Sequence, residues 1–252
     1  MIFNELGYAE TMLIKGFIQN KYLTELRVLA KYYNKIDGLK TEEVKVKLKE
    51  FCKKYLPEYN EVIHLDLINK ATNYGVQKKN TLTVILSIYI TENELQKIRN
   101  LNDLKLEKIA FTALVLSKVN KYKPKNKYNS VDSYTIYNFK ELFKYAKVKC
   151  KQNQKDEYLK QLSKSGLFNY TVYGGLKVNF VDEVGQTAIT LNNFNDFVLE
   201  YEKYIGGNVI NCEKCGVPFY PTNNSQKYCN ICKKDNWREY NAEKQKEYRK
   251  RV

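Results

Sequence analysis

Apolar side chains in the first 75 residues recur at the three- and four-residue spacing of amphipathic helices. The recurring positions are Leu23, Leu26, Leu29, Ala30 and Tyr33, and then Val44, Leu48, Phe51 and Cys52. Pro57 is predicted to end one helix, and Asn60 to begin another that runs to Gly75. The pattern predicts a helical module over residues 1–78.

The pattern changes over residues 79–129. Residues 83–90 are rich in β-branched side chains and predict a strand, with a buried helix start as the alternative. Thr91 and Glu94 form a capping-box pair, and a helix that is apolar on nearly all sides, and therefore central, is predicted over 104–119. Residues 118–127 carry five lysines, one proline and no acidic side chain, which indicates a solvated linker.

Residues 130–205 show the order of elements typical of a winged helix-turn-helix. A short strand from Ser133 is followed by helices near 138–147 and 154–164, strands near 168–173 and 176–181, a strand at 187–191 and a closing helix at 194–204. Gly174 and Gly175 are predicted to form a two-residue hairpin turn, both with positive φ, and this hairpin would be the wing. Winged helices also serve as protein-docking and architectural units, so the fold alone does not establish DNA binding.

The second helix of this segment is predicted to turn Tyr158, Leu159 and Leu162 inward. A helix in the major groove typically contacts phosphate groups through lysine side chains and hydrogen-bonds adenine edges through Asn or Gln side chains. The predicted nucleic-acid contacts here are Lys151, Asn153, Lys160, Gln161, Lys164 and, on the strand after the wing turn, Lys177.

Two C-x2-C pairs mark the last segment, 206–252. They are Cys212 with Cys215, and Cys229 with Cys232. Two such turns can surround one zinc ion with four sulfur atoms, and Gly216 supplies a permissive backbone after the second cysteine. Four protein ligands leave no open coordination position, so this zinc would be structural. Disulfides and free thiols are the alternatives.

This segment resembles the short four-cysteine zinc ribbons at the ends of many bacterial and phage proteins. It shares their C-x2-C-G knuckle at 212–216, aromatic and proline residues at 219–221, K-Y-C-x2-C knuckle at 227–232 and basic terminal helix. The resemblance covers about a sixth of the chain. It implies a zinc ion but no single function, since such ribbons contact DNA, RNA and proteins alike.

The terminal helix, predicted from Asp235, carries aromatic and basic side chains. Trp237, Tyr240 and Tyr248 lie roughly along one stripe, and the predicted nucleic-acid contacts are Arg238, Lys244, Arg249 and Arg251. The acidic side chains Glu239, Glu243 and Glu247 recur every four residues and would repel a phosphate backbone. A solvated or protein-docking face is therefore the alternative.

A formal charge of +15 favours a polyanionic partner, because surplus lysine and arginine attract nucleic acid through counterion release. The alternative is an organism whose codon usage is rich in Lys, Asn, Ile and Tyr. No apolar run approaches the length of a membrane helix and Met1 does not lead into a signal peptide, so we expect a cytoplasmic protein without membrane contact. Cys52 and Cys150 are expected to be small core residues.

Motifs of catalysis are missing from the sequence, which has no phosphate-binding glycine loop, nucleophile elbow or H-E-x-x-H. His64, the single histidine, is predicted to be buried and hydrogen-bonded on an apolar helix face. Carboxylate pairs such as Asp182-Glu183 would bind magnesium in a nuclease only if the fold gathered them.

The sequence therefore predicts an α+β, predominantly helical protein that binds duplex DNA and is not an enzyme. In this reading it is a regulator or replication accessory of a bacterium or phage. The alternative is a phage-type interaction protein that docks on a host nucleoprotein or polymerase.

Overall fold

The structure, a computed structural model, describes residues 2–122 and 134–251, with side chains up to residue 246. About 51% of the chain is helical and 10% lies in small sheets, so the predicted α+β class is confirmed. Two compact units are formed, one by Met1–Leu86 with Tyr122–Ser130 and one by Ser87–Lys121 with Val131–Val252. The finer division at residues 78, 129 and 205 stays a prediction, and linker residues 123–127 lie outside the described residues.

The first unit contains four helices in its described part. They are α1 (Glu5–Lys15), α2 (Tyr22–Lys35), α3 (Thr41–Tyr55) and α4 (Leu65–Gly75). The predicted apolar positions supply its core, where Leu26, Leu29 and Leu48 are fully buried around Ile68. Each such side chain contributes about 1.5–3 kcal/mol when it is removed from water.

The sequence predicts that His64 is buried on an apolar helix face, and this prediction is wrong. It is partly exposed just before α4, its Nδ1 lies 2.9 Å from the carbonyl oxygen of Asn60, and its ring stacks on Tyr59. Asn60 does begin the turn that leads into α4, since its side chain accepts the backbone amide hydrogens of Val62 and Ile63. The histidine therefore belongs to the helix start and not to the core.

Helices α4 and α2 approach each other closely at Gly75, which lets us predict the effect of a methyl group there. A Cβ at this position would lie 2.3 Å from the Cβ of Ala30 and 2.8 Å from the backbone nitrogen of Lys31. Backbone atoms would have to move, so we expect Gly75→Ala to destabilise the first unit by about 1–3 kcal/mol.

The matched control is Gly7→Ala in α1, where the new Cβ would meet only the side chain of Asn4, at 3.3 Å or more. The better helix propensity of alanine is opposed by the small shift of Asn4, the N-cap of α1, so we expect stability to change by less than about 1 kcal/mol. Urea unfolding of both variants measures the difference. Equal unfolding midpoints would contradict the close approach of α4 to α2.

The second unit contains the remaining elements of the described residues. In chain order they are β1 (Ile88–Thr91), α5 (Glu92–Arg99), α6 (Leu104–Asn120), β2 (Thr135–Ile136), α7 (Phe139–Tyr145), α8 (Gln152–Lys164), β3 (Phe168–Tyr170), β4 (Leu176–Val178), β5 (Thr187–Leu191), α9 (Val198–Tyr204), β6 (Ile210–Asn211), β7 (Pro218–Phe219) and α10 (Asn230–Arg251). Helix α6 is central, as predicted, because every residue over 109–119 is buried.

Three small sheets hold the strands of this unit. Strand β1 pairs antiparallel with β5, the order of the second sheet is β2-β4-β3, and β6 pairs with β7. The predicted strand at 83–90 is confirmed only at its end, because β1 begins at Ile88. Val84 instead forms an isolated bridge with Asn4 in the first unit.

The turn between β3 and β4 differs from the predicted two-residue hairpin. Its loop is 172–174, closed by a hydrogen bond of 2.8 Å from the amide of Thr171 to the carbonyl of Gly175. Gly174 has a φ of +73°, as a three-residue loop requires, but Gly175 is not in the positive-φ region. A glycine is needed at 175 because of packing, since a Cβ there would lie 2.5 Å from Cγ2 of Thr135 in β2.

A buried ion pair joins α5 to α6. The predicted capping box is confirmed by the amide of Thr91, which donates to the carboxylate of Glu94 at 2.9 Å. The same carboxylate lies 2.8 Å from Nζ of Lys118 and accepts the amide of Asp182 at 2.7 Å. Nζ of Lys118 also donates to the carbonyl of Tyr89 at 2.7 Å. Lys118, which the sequence assigned to a solvated linker, is thus a core residue of the second unit.

Candidate metal centre and nucleic-acid interface

The four predicted cysteine ligands come together in space. The sulfur atoms of Cys212, Cys215, Cys229 and Cys232 all lie within 4.8 Å of one another, and those of Cys215 and Cys229 are 3.7 Å apart. Ligands around a tetrahedral zinc with bonds of about 2.3 Å lie about 3.8 Å apart, whereas a disulfide needs about 2.05 Å. The cluster therefore fits a metal ion such as zinc and not a pair of disulfides.

Short local turns bring these cysteines into place. The first knuckle follows β6, where the amide of Gly216 donates to the carbonyl of Cys212 at 2.8 Å and the amide of Cys212 to the carbonyl of Val217 at 3.0 Å. Gly216 has a φ of +69°, which confirms its predicted role. Cys232 lies in the first turn of α10, so the second knuckle passes directly into that helix.

Backbone amides also point at sulfur in the first knuckle. Burial acts to raise the pKa of Cys212, but hydrogen bonds from the amides of Cys229, Cys215 and Lys214 lower this pKa to about 6. Burial raises the pKa of Cys232, and the neighbouring cysteine side chains raise it further. The protein alone thus favours the thiolate of Cys212 and disfavours the thiolates of Cys215 and Cys232, whose pKa values are raised. A divalent cation bound between the sulfur atoms would stabilise the thiolate forms.

Side-chain contacts attach the cysteine cluster to α9. The hydroxyl of Tyr220 donates to the carboxylate of Glu202, and the side-chain amide of Asn211 donates to Glu200 at 2.8 Å. Glu202 is buried and pairs with Nζ of Lys108 in α6 at 2.6 Å. The cluster is therefore part of the second unit and not a separate appendage.

Helix α8 exposes the polar face that was predicted for it. Leu159 and Leu162 are buried and Tyr158 is partly buried. All five predicted contact residues at or on this helix are exposed, namely Lys151, Asn153, Lys160, Gln161 and Lys164. Among the described residues Lys160 and Lys164 make no ion pair, so their charges are available to an anion.

The other predicted contact residues lie on different elements. Lys177 is partly buried in β4, the middle strand of its sheet. Arg238 is exposed on α10, and Nζ of Lys244 lies 5.7 Å from the ring centroid of Tyr240. Arg249 and Arg251 belong to α10, but their side chains lie outside the described residues. The structure thus groups the α8 residues and leaves the rest on β4 and α10.

Helix α10 is exposed almost all round. Over residues 233–246 none of its side chains is buried, and Trp237 and Tyr240 are 68% and 57% exposed. Of the predicted acidic row, Glu239 lies 3.2 Å from Nζ of Lys214 in the first knuckle. This ion pair offsets one of the charges that would repel a phosphate backbone.

A basic cleft at α7 and α8 was missed from the sequence. Its volume is about 660 Å³, and its lining residues are Lys140, Phe143, Lys144, Lys147, Val148, Lys149, Cys150 and Lys155. Cys150 is partly exposed in the wall of this cleft, which corrects the expected core position, whereas Cys52 is fully buried as predicted. The available signal was the four-residue spacing of Lys140 and Lys144, which places two cations on one face of α7, with Lys147 and Lys149 following in the link to α8.

Among the described residues, the four cysteines form the one group of three or more side chains placed to ligate a metal ion together. No helix in residues 2–122 or 134–251 combines the length and the apolar character that crossing a bilayer demands. Comparison with protein-family models, curated proteins and solved structures finds no match for this chain.

Proposed function

We propose that this chain is a DNA-binding protein in which a winged helix contacts duplex DNA. The observation that carries the proposal is the element order α6-β2-α7-α8-β3-β4 together with the sheet order β2-β4-β3. A helix-turn-helix followed by a β-hairpin has this order, and its second helix enters the major groove. In this chain α8 would be the recognition helix, and the β3–β4 hairpin the wing.

The exposed side chains of α8 support this assignment. Lys160 and Lys164 are one helical turn apart and suit two phosphate groups, while Asn153 and Gln161 have the amides that pair with adenine edges. The net charge of +15 favours the approach of any nucleic acid. Phosphate contacts would then set the position of the helix on DNA. The side-chain amides of Asn153 and Gln161 would determine its sequence preference.

The proposed role of the cysteine cluster is to bind one structural zinc ion. Four sulfur ligands complete a tetrahedron and leave no position for a reacting water molecule. The ion would hold the β6–β7 hairpin and the start of α10 together. Helix α10, with Arg238, Lys244, Arg249 and Arg251, would then add phosphate contacts beside the winged helix.

Charge reversal on α8 tests the recognition helix. We expect Lys160→Glu combined with Lys164→Glu to weaken binding to duplex DNA at least about tenfold, because two phosphate contacts become repulsive. Fluorescence anisotropy of a labelled duplex at fixed salt measures the affinity. The matched control is Lys53→Glu with Lys105→Glu, which alters net charge equally at two exposed lysines that do not belong to α8. Equal affinities for the two double variants would remove α8 from the interface.

The second candidate function is docking on a host nucleoprotein or polymerase. The observation that favours it is the apolar exposure of α10, where Ile231 is 73% and Trp237 68% exposed. Large exposed aromatic side chains are common at the centres of protein interfaces.

Pull-down from nuclease-treated host lysate separates the two functions. One stoichiometric protein that is retained by the wild type and lost with Trp237→Ala would favour docking. Loss of all bound material after nuclease treatment would favour DNA binding.

A further inference from the structure

The cleft at α7 and α8 concentrates positive charge, and the described residues pair only one of its lysines with an acidic side chain. Among the described residues, five lysines line it and no acidic side chain does. Lys147 is paired with Asp196 at 2.9 Å, whereas Lys140, Lys144, Lys149 and Lys155 make no ion pair among the described residues. Several ammonium groups around one cavity repel one another unless an anion lies between them.

The floor of the cleft is apolar. Phe143 is 3% and Val148 8% exposed, and both line the cavity. Nζ of Lys155 lies 5.7 Å from the ring centroid of Phe143, a cation–π distance that holds this ammonium group over the floor. Low polarity beneath the charges strengthens their attraction to an anion above them.

The lining residues indicate which anion the cleft suits. Lysine binds phosphate as a point charge, and the lining that the described part of the chain supplies contains no Asn, Gln, Ser, Thr or Arg side chain that would read a base edge. A volume of about 660 Å³ is larger than one phosphate group needs, and the lysines come from α7, α8 and the link between them. These features fit consecutive phosphates of a polymer, bound without regard to sequence.

We infer that the α7–α8 cleft binds the phosphate backbone of nucleic acid, as a second contact beside the exposed face of α8. The inference rests on the proposed DNA-binding function and extends it to residues outside the predicted set. Contacts of this kind position a protein on DNA and make its affinity dependent on salt.

Cys150 offers a reporter inside the cleft. The rate at which N-ethylmaleimide alkylates Cys150 is followed by peptide mass spectrometry, with and without a duplex, and the lack of label on fully buried Cys52 establishes that the protein stays folded. With duplex at ten times its dissociation constant, about a tenth of the protein is free, so we expect alkylation of Cys150 to slow about tenfold. An unchanged rate while anisotropy shows bound DNA would overturn the inference.

A lysine variant supplies the independent measurement. We expect Lys140→Gln, Lys144→Gln and Lys149→Gln together to reduce the slope of log affinity against log salt by about 2.7, since each lost phosphate contact removes about 0.9. The matched control is Lys53→Gln, Lys79→Gln and Lys105→Gln, three exposed lysines outside the cleft, for which the slope stays at the wild-type value. Circular dichroism and thermal melting establish that both triple variants are folded.

Three outcomes are separable. In the first, the wild type binds duplex DNA and the triple lysine variant of the cleft has the same slope of log affinity against log salt. This result overturns the cleft inference and leaves the proposed function standing. A wild type that does not bind duplex DNA overturns both. Protection of Cys150 by tripolyphosphate but not by duplex, at equal phosphate concentration, assigns the cleft to a small anion and overturns the backbone contact.

Discussion

Replacing Cys232 by serine is expected to unfold the segment around the cysteine cluster. Three sulfur ligands do not complete the tetrahedron, and a structural zinc contributes on the order of 10 kcal/mol to a module of this size. The local core offers no substitute, since the buried residues of this cluster are cysteines and, in the described part of the chain, Phe219 and Tyr228 are the hydrophobic side chains packed against them. Helix α10 begins at this cluster and should lose its structure as well.

Three measurements check this result. Elemental analysis should find one zinc per wild-type chain and almost none in Cys232→Ser, while circular dichroism should show lost helix and limited proteolysis new cleavage after residue 206. The control is Cys150→Ser, which changes a cysteine outside the cluster and should keep both zinc and fold. A wild type purified without metal, or a Cys232 variant that resists protease as the wild type does, would contradict the structural zinc.

Replacing Lys118 by methionine is expected to destabilise the second unit by about 3–5 kcal/mol. The substitution keeps most of the side-chain volume but leaves the carboxylate of Glu94 buried without its countercharge, and removal of one partner from a buried pair costs this much. It also removes the donor to the carbonyl of Tyr89. Glu94 is fully buried, so water does not replace the lost ammonium group.

Lys121→Met, one turn later, is the matched control. Lys121 pairs with Glu183 at 2.6 Å, but both side chains are 48% exposed, and pairs of this kind contribute about 0–1 kcal/mol. Urea unfolding of the two variants compares them on the same scale. A cost for Lys118→Met no larger than that for Lys121→Met would mean that the Glu94 pair is not buried as described.

Features that depend on neighbours in the chain could be predicted from the sequence. Thr91 and Glu94 are three residues apart, so their capping box was visible as a local pattern. The C-x2-C spacing likewise defined the two knuckles, and the apolar content of α6 revealed its central position. In each case the residues that make the contact lie within a few positions of one another.

Features that depend on distant residues could not be predicted in this way. Lys118 looked like the start of a lysine-rich linker because its partner Glu94 lies 24 positions earlier in the chain. Gly175 resembled a turn residue, whereas its size is required by Thr135 on the neighbouring strand. Cys150 was assigned to a core because its small apolar side chain carries no sign of the surrounding lysines. Long-range packing decides the first two positions, whereas the lysines around Cys150 lie within ten positions of it in the chain.

The pairing of β1 with β5 limits how this protein can be divided for experiments. Ile88 pairs with Leu191, so the two strands of this sheet lie at opposite ends of a chain segment that contains every element from α5 to β4. A fragment cut at residues 130 and 205 would keep β5 without its partner and leave an unpaired edge that invites aggregation. The shortest piece expected to remain monodisperse with α8 intact starts near residue 87 and ends after α9, near residue 204, because Phe197 and Tyr201 cover Phe111 of α6.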